Sequence, residues 1–147
     1  KIQTENVEIK CFNLESDDAE FSFNFNDEKI AVSIFSVPLK YLYIPNNSVL
    51  KAGAFNSVSE KFGLKKLHPN SHFYTSNVEI ENFPGRILQI ERIDSKQIKK
   101  GEKFNIISKN YPLTPYEIKK KYTILDGGNH YLIFTESKQG KVILKSV

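Results

Sequence analysis

The chain of 147 residues lacks methionine and tryptophan, carries a single cysteine, and contains only two arginines, Arg86 and Arg92. One cysteine, Cys11, cannot form a disulfide within the chain, and with three scattered histidines it offers no metal-ligand spacing. Because a natural chain begins with methionine, the start at Lys1 predicts either a processed N-terminus or a piece of a longer protein, and we favour the second.

Long apolar runs are also lacking. No stretch approaches the roughly 20 apolar residues that cross a bilayer, and the N-terminus has no charged segment followed by an apolar one. The sequence therefore predicts a soluble, cytoplasmic protein without a membrane partner. With 39% hydrophobic and 26% charged residues, it has the composition of one globular domain or two small ones.

The motifs that bind nucleotide cofactors are absent. No GxGxxG or Walker sequence occurs, Gly53 falls inside a predicted helix, and Gly127-Gly128 precedes a predicted strand rather than a helix. The sequence therefore predicts no cofactor residue in this chain.

Catalytic motifs are equally absent. No serine lies in GxSxG, and no nucleophile is paired with a histidine by spacing. Asp17-Asp18 is typical of a solvated acidic turn rather than of a hydrolytic carboxylate pair. We predict no catalytic residue, although a site assembled only in three dimensions stays open, so the sequence leaves it undecided whether the chain is part of an enzyme.

Charge is distributed unevenly. Residues 1–30 carry three basic and eight acidic side chains, whereas residues 31–147 carry eighteen basic and nine acidic ones. The basic part would attract a polyanion, but a solvated lysine-rich surface explains the same composition.

In the first half, alternating apolar residues predict strands. They cover Val7–Asn13, Glu20–Asn26, Ile30–Phe35 and Leu39–Ile44, with Phe21, Phe23 and Phe25 on one face and an acidic turn at Glu15–Asp18. A polar start at Asn46-Asn47-Ser48 and apolar residues every three to four positions predict a helix over 47–62, ended by Gly63. A short strand over His72–Thr75 follows.

In the second half, strands are predicted over Arg86–Ile93 and Phe104–Ser108, and Lys109–Pro112 is interpreted as a connection. Thr114-Pro115-Tyr116-Glu117 forms a capping box that predicts a helix from 115 to about 122. A hairpin is predicted from Tyr131–Thr135 and Val142–Ser146. Together these elements predict an α+β fold dominated by sheet.

Two clusters of basic and aromatic residues indicate a possible nucleic-acid surface. One extends from Lys51 to Tyr74, and the other combines Lys119-Lys120-Lys121 with Tyr116 and Tyr122. Lysines neutralise phosphates and exposed aromatic rings stack on unpaired bases. The alternative is that Phe73 and Tyr122 pack in the core and that the lysine triplet is the solvated face near a helix C-terminus.

Short motifs in order resemble the C-terminal region of a bacterial family of class I AdoMet-dependent methyltransferases. Those that resemble its ferredoxin-like segment are Tyr41-Leu42-Tyr43-Ile44-Pro45-Asn46, Lys51-Ala52-Gly53-Ala54-Phe55, Phe62-Gly63-Leu64, Lys66-Leu67-His68-Pro69-Asn70-Ser71-His72, Tyr74-Thr75-Ser76 and Phe83-Pro84-Gly85-Arg86. Those that resemble its THUMP-like domain are Asn110-Tyr111-Pro112-Leu113-Thr114, Asp126-Gly127-Gly128 and Tyr131-Leu132.

The resemblance implies two small sheet-plus-helix modules. The first is a strand-rich part with a ferredoxin-like segment over residues 1–77, and the second is a THUMP-like domain over 78–147. In that family a Rossmann-like domain precedes both modules, so S-adenosylmethionine is expected in that catalytic domain and not in this chain. The implied function is recognition of a substrate, tRNA or rRNA, for the protein's own N-terminal methyltransferase domain.

Candidate RNA contacts come from the residues themselves, as phosphate or base-edge contacts and as stacking platforms. They are Lys51, Lys65, Lys66, His68, His72, Arg86, Lys109, Lys119 and Lys120, with Tyr74 and Tyr116 as the platforms. The alternative function is a protein-docking module that binds no RNA. Its surface would be acidic residues 1–30 with Phe21, Phe23 and Phe25.

Overall fold

The computed structural model describes residues 7–12 and 21–147. Its elements run in chain order as strands β1 (Glu8–Cys11) and β2 (Phe21–Asn24), helix α1 (Phe25–Ile30), strand β3 (Tyr41–Pro45), helices α2 (Asn47–Ala52) and α3 (Phe55–Phe62), strands β4 (Lys65–His68), β5 (Ser71–Ser76) and β6 (Gly85–Ile93), a 3-10 helix (Ser95–Gln97), strand β7 (Lys103–Ser108), helix α4 (Pro115–Tyr122) and strands β8 (Leu125–Ser137) and β9 (Gly140–Ser146). The predicted turn at Glu15–Asp18 lies outside the described residues.

Strands β3 to β9 form one mixed sheet in the order β4-β5-β3-β6-β9-β8-β7. Neighbours are antiparallel except β7 and β8, which run parallel. Strands β1 and β2 pair separately. The mixed sheet with its packed helices confirms the predicted α+β class.

Strands β3 and β5 are buried on both faces, because successive residues of a strand point to opposite sides of the sheet and each side is covered. Tyr43 and Tyr74 point into a cluster that α2, α3 and the β1–β2 ribbon cover. Leu42 and Phe73 belong to a second cluster, with residues of β8 and β9 such as Ile133. Burial on both faces places these two strands at the centre of the packed structure.

The sheet curls, so that its first strands meet its last ones. The Ser71 hydroxyl at the start of β5 donates to the carbonyl of Glu136 in β8 at 2.8 Å, and the Thr135 hydroxyl donates to Ser71 Oγ at 3.1 Å. A third cluster, containing Phe104, Ile118 and Phe134, packs beneath α4. The curl brings the end of β7 close to β5, and this proximity creates the site described below.

The strand prediction over Glu20–Asn26 is wrong at its end. Strand β2 stops at Asn24, whose side-chain oxygen accepts a hydrogen bond from the amide of Asn26 and so caps α1. The predicted strand Ile30–Phe35 is also absent, apart from a single parallel bridge between Phe35 and Lys66. An asparagine that can cap a helix ended the alternating pattern.

The helix predicted over 47–62 is two helices. Gly53 adopts a left-handed conformation, with φ of 75°, and closes α2 before Ala54 and Phe55 start α3. Helix α3 lacks a side-chain cap of its own at Ala54. The Glu28 carboxylate of α1 supplies one instead, accepting from the amides of Asn56 at 3.0 Å and Ser57 at 2.7 Å.

The second half follows the sequence closely. Strands β6 and β7, the β8–β9 hairpin and helix α4 all occur where predicted, although β8 begins earlier, at Leu125. In α4 the Thr114 hydroxyl accepts from the Glu117 amide, while the Glu117 carboxylate accepts from the Thr114 amide. Local capping chemistry decided these boundaries, which is why they were predictable.

Candidate nucleic-acid interface

An open cavity of about 400 Å³ lies where α2 and β5 face the end of β7. We call it the basic pocket. Its floor is apolar, and its polar lining includes three of the predicted contacts, Lys51, His72 and Lys109. These residues are up to 58 positions apart in the sequence, and the curl of the sheet brings them together.

His72 forms one wall of the basic pocket. Its imidazole stacks on the Phe55 ring, with the ring centres 3.8 Å apart and the planes at 11°. Burial, followed by the charges of Lys66 and Lys109, lowers the pKa of His72 to about 4. The ring is therefore neutral near pH 7, and it can contact a base edge but cannot neutralise a phosphate. Its Nδ1 atom is buried and has no hydrogen-bond partner among the described residues.

Asn110 closes the pocket from the β7 side. It adopts a left-handed backbone conformation, with φ of 53°, which asparagine tolerates better than most residues. Its side-chain nitrogen donates to Ser71 Oγ at 3.1 Å and to the Glu136 carboxylate at 3.3 Å. Because a carboxylate only accepts, this arrangement fixes the orientation of the amide.

His68 supports Asn110 from strand β4. Its Nδ1 atom accepts from the amide of Asn70 at 3.1 Å and lies 3.3 Å from the Asn110 side-chain nitrogen. Its Nε2 atom lies 3.9 Å from a Glu136 oxygen. His68 therefore belongs to the network beside the pocket and does not line the pocket itself.

Two predicted contacts are buried, which corrects their roles. Lys66 is only 3% exposed; its amine donates to the Pro69 carbonyl at 3.0 Å, and burial lowers its pKa. Tyr74 is fully buried and donates to the Phe55 carbonyl at 2.5 Å, and burial raises the pKa of its hydroxyl. Lys66 is therefore no phosphate contact and Tyr74 no stacking platform.

Lys65 and Arg86 are exposed but do not line the pocket. Lys65 lies on β4, and the Arg86 guanidinium of β6 sits over the Tyr131 ring at 4.6 Å. Lys65 and Arg86 therefore remain predicted RNA contacts that lie outside the pocket.

The second predicted cluster lies on α4 and is separate from the pocket. Lys119 forms a 2.9 Å ion pair with Asp126, and Lys120 lies 5.6 Å from the centre of the Tyr116 ring. Tyr116 is 66% exposed and can stack on a base. Tyr122 packs against Phe134, which agrees with the alternative that Tyr122 belongs to the core.

Two of the three phenylalanines predicted for protein docking are internal, and most of the acidic residues of 1–30 lie outside the described residues. Phe21 and Phe23 are buried in the first core cluster, and only Phe25 is exposed, at 38%. Phe21 and Phe23 are therefore unavailable to a partner.

The described residues give little support to a metal site, a reactive thiol or a membrane-spanning helix. Residues 7–12 and 21–147 contain no cluster of three or more metal-binding side chains, and burial raises the pKa of the Cys11 thiol. In the same ranges, every helix is too short or too polar to cross a bilayer.

Several residues of the pocket were not predicted. Asn47, Asn70, Phe55 and Asn110 line it; the last three belong to motifs of the family resemblance, and Asn110 lies in the segment interpreted as a connection, but none is a predicted contact. The left-handed conformation of Asn110 and the stacking of Phe55 on His72 are tertiary features, so no local pattern could have revealed them.

Two families of known domains match consecutive parts of the chain, and both parts contribute residues to the pocket. Residues 41–84 match a ferredoxin-like domain family, and residues 85–145 match a family described as THUMP domain-like. Lys51 and His72 lie in the first match, and Lys109 and Asn110 lie in the second. The basic pocket is therefore built at the junction of the two matched domains.

One solved structure matches the chain over most of its length. It is a candidate methyltransferase from Porphyromonas gingivalis W83, with 33% sequence identity, a TM-score of 0.81 and 96% coverage of this chain. This chain spans 37% of the length of that protein. No curated protein sequence matches the chain.

Proposed function

We propose that this chain is the substrate-recognition region of an AdoMet-dependent methyltransferase and that it binds RNA, tRNA or rRNA. The likeness to a candidate methyltransferase supports the proposal that the chain belongs to such an enzyme, and the THUMP-like match supports a recognition role. In this proposal S-adenosylmethionine binds in a separate catalytic domain, because the glycines, all of which lie among the described residues, do not stand between a strand and a following helix. Gly127 and Gly128, for example, lie within strand β8.

The observation that carries the proposal is the composition of the basic pocket. Two exposed lysines, Lys51 and Lys109, come from different matched domains and border a cavity with an apolar floor. Lysine amines bind phosphate, and apolar or aromatic walls receive bases. A merely solvated lysine surface needs neither a cavity nor apolar walls.

Charge reversal tests the proposal. The double variant Lys51→Glu/Lys109→Glu should weaken binding of tRNA or rRNA fragments by about tenfold or more at moderate salt, since two phosphate contacts become repulsive. Fluorescence anisotropy gives the dissociation constants.

A matched control is Lys96→Glu/Lys100→Glu, which changes the net charge equally at exposed positions outside the pocket. Equal losses in the two double variants, or no binding by the wild-type protein, would refute recognition at the pocket.

A second candidate function, docking of a protein domain, is favoured by an exposed apolar ridge. Ile30, Val32 and Ile34 are 78%, 73% and 66% exposed. The segment is held against the outer strand β4, because the Lys66 amide donates to the Ile34 carbonyl and the Ser36 amide to the Lys66 carbonyl. Neighbouring exposed apolar residues of this kind favour an interaction site.

The occupant we propose for the ridge is the catalytic domain of the same protein, since the matched candidate methyltransferase is much longer than this chain. In a protein that contains both parts, Val32→Ser/Ile34→Ser should speed proteolytic cleavage between them. Unchanged cleavage would contradict this docking, and so would a dimer of the isolated chain in light scattering that the same substitutions dissolve.

A further inference from the structure

The floor of the basic pocket is suited to a flat, apolar-faced group. Ile44 of β3, Leu50 of α2 and Phe73 of β5 contribute aliphatic and aromatic surface, and the volume of about 400 Å³ falls within the range of small-molecule sites. A paired base has both faces covered by its neighbours in the duplex. Only an unpaired base can turn into such a cavity.

One amide oxygen that accepts from no described residue borders this floor. The Asn110 amide nitrogen is committed to Ser71 and Glu136, so its Oδ1 atom is turned away from them, and no described residue donates to it. Because Asn110 is exposed, this oxygen can accept a hydrogen bond from a bound group in place of water. The Nδ1 atom of His72 also has no partner among the described residues, but it is buried and a bound group does not reach it.

The charges at the rim complement a phosphate rather than a base. Lys51 and Lys109 are exposed lysines that line the pocket. One oxygen of the nearby Glu136 carboxylate accepts from the Asn110 amide, and the other lies 3.9 Å from His68 Nε2. An apolar floor, a free amide oxygen and a cationic rim together match the three parts of a nucleotide.

We propose that the basic pocket takes one unpaired nucleotide, with its base on the Ile44–Leu50–Phe73 floor and its phosphate at Lys51 and Lys109. This inference rests on the proposed RNA-recognition function and specifies how RNA is read. Recognition then selects single-stranded segments or ends, and duplex regions contribute only charge contacts elsewhere.

The test compares a five-nucleotide single-stranded RNA with an abasic chain that has the same number of phosphates. Wild-type protein should bind the RNA about tenfold or more tightly, because an engaged base contributes about 1–3 kcal/mol. Leu50→Trp, which fills the cavity from a half-buried position, should abolish that difference. Asn47→Trp, at an exposed position of the lining, should do the same if Leu50→Trp unfolds.

The outcomes separate the two proposals. Equal binding of the RNA and the abasic chain would overturn the nucleotide pocket while leaving charge-based RNA binding intact. A tenfold preference that survives both cavity-filling variants would place the base elsewhere and also overturn it. If neither the short RNA nor tRNA and rRNA fragments bind, both proposals fail.

Discussion

The lysines at the basic pocket and the lysines of α4 differ in what surrounds them. Lys51 and Lys109 border a cavity shared by two matched domains, and Lys66 is buried behind it. On α4, Lys119 is paired with Asp126, and Lys120 lies beside the exposed Tyr116.

The difference shows that a cluster of lysines is not yet a site. The basic pocket is partly enclosed, whereas the α4 surface is open. An apolar floor and desolvated neighbours strengthen each polar contact in the pocket. The exposed lysines of α4 lie near its C-terminal dipole, where cations stabilise a helix without any ligand.

The largest expected effect comes from reversing one charge in each region. Lys66→Glu should lower the free energy of unfolding by about 3 kcal/mol or more, because it buries an unpaired carboxylate and removes the bond to Pro69. Lys120→Glu, on the exposed face of α4, should lower it by about 1 kcal/mol or less, through the helix dipole. Urea denaturation measures both.

Lys66→Met is the matched control, since it keeps the packed chain without a charge. It should cost much less than Lys66→Glu. Similar losses for Lys66→Glu and Lys120→Glu would contradict the contrast between the two regions.

A smaller effect is expected from the helix caps of the two regions. Glu28→Ala should cost about 2 kcal/mol, because it removes the acceptor of two amides at the start of α3. Thr114→Ala, which removes the side-chain cap of α4, should cost about 1 kcal/mol. Thermal unfolding ranks the two variants, and a larger loss for Thr114→Ala would show that α3 does not depend on α1.

The last expected effect is a pH dependence that involves the pocket alone. The pKa of His72 is lowered from 6.5 to about 4 in the folded protein, by burial and by the cations of Lys66 and Lys109. The unfolded chain therefore binds more protons between these values, and stability falls as the pH drops from 6.5 to 4. His72→Phe, which keeps an aromatic ring on Phe55, should reduce this fall.

The matched control is the wild-type protein, measured over the same pH range. The difference between the two proteins removes the contribution of carboxylates that titrate in the same range. Parallel curves for wild type and His72→Phe would show that His72 is not desolvated.

The sequence predicted the elements that local chemistry decides. The capping box at Thr114, the β8–β9 hairpin and the strands β6 and β7 needed no tertiary information. Helix α1 and the break at Gly53 were missed, because an asparagine cap and a left-handed glycine compete with a longer periodic pattern.

The site was predicted only in part, for a physical reason. Lys51, His72 and Lys109 were recognised by residue type, whereas the burial of Lys66 and Tyr74 depends on which strand face each one occupies. The position of Asn110 depends on the curl of the sheet, which pairs it with Ser71 and Glu136. Long-range packing of this kind leaves no mark within a short window of sequence.

The salt dependence of RNA binding tests the central claim most directly. The slope of log affinity against log salt counts the phosphates that a protein neutralises, at about 0.7 per phosphate for single strands. Neutral substitutions of the two pocket lysines, Lys51 and Lys109, should make the slope shallower by about 1.4, because two phosphate contacts are lost. Neutral substitutions of Lys119 and Lys120 on α4 should leave the slope unchanged. The reverse result, a slope that responds to α4 and not to the pocket, would contradict recognition at the junction of the two domains.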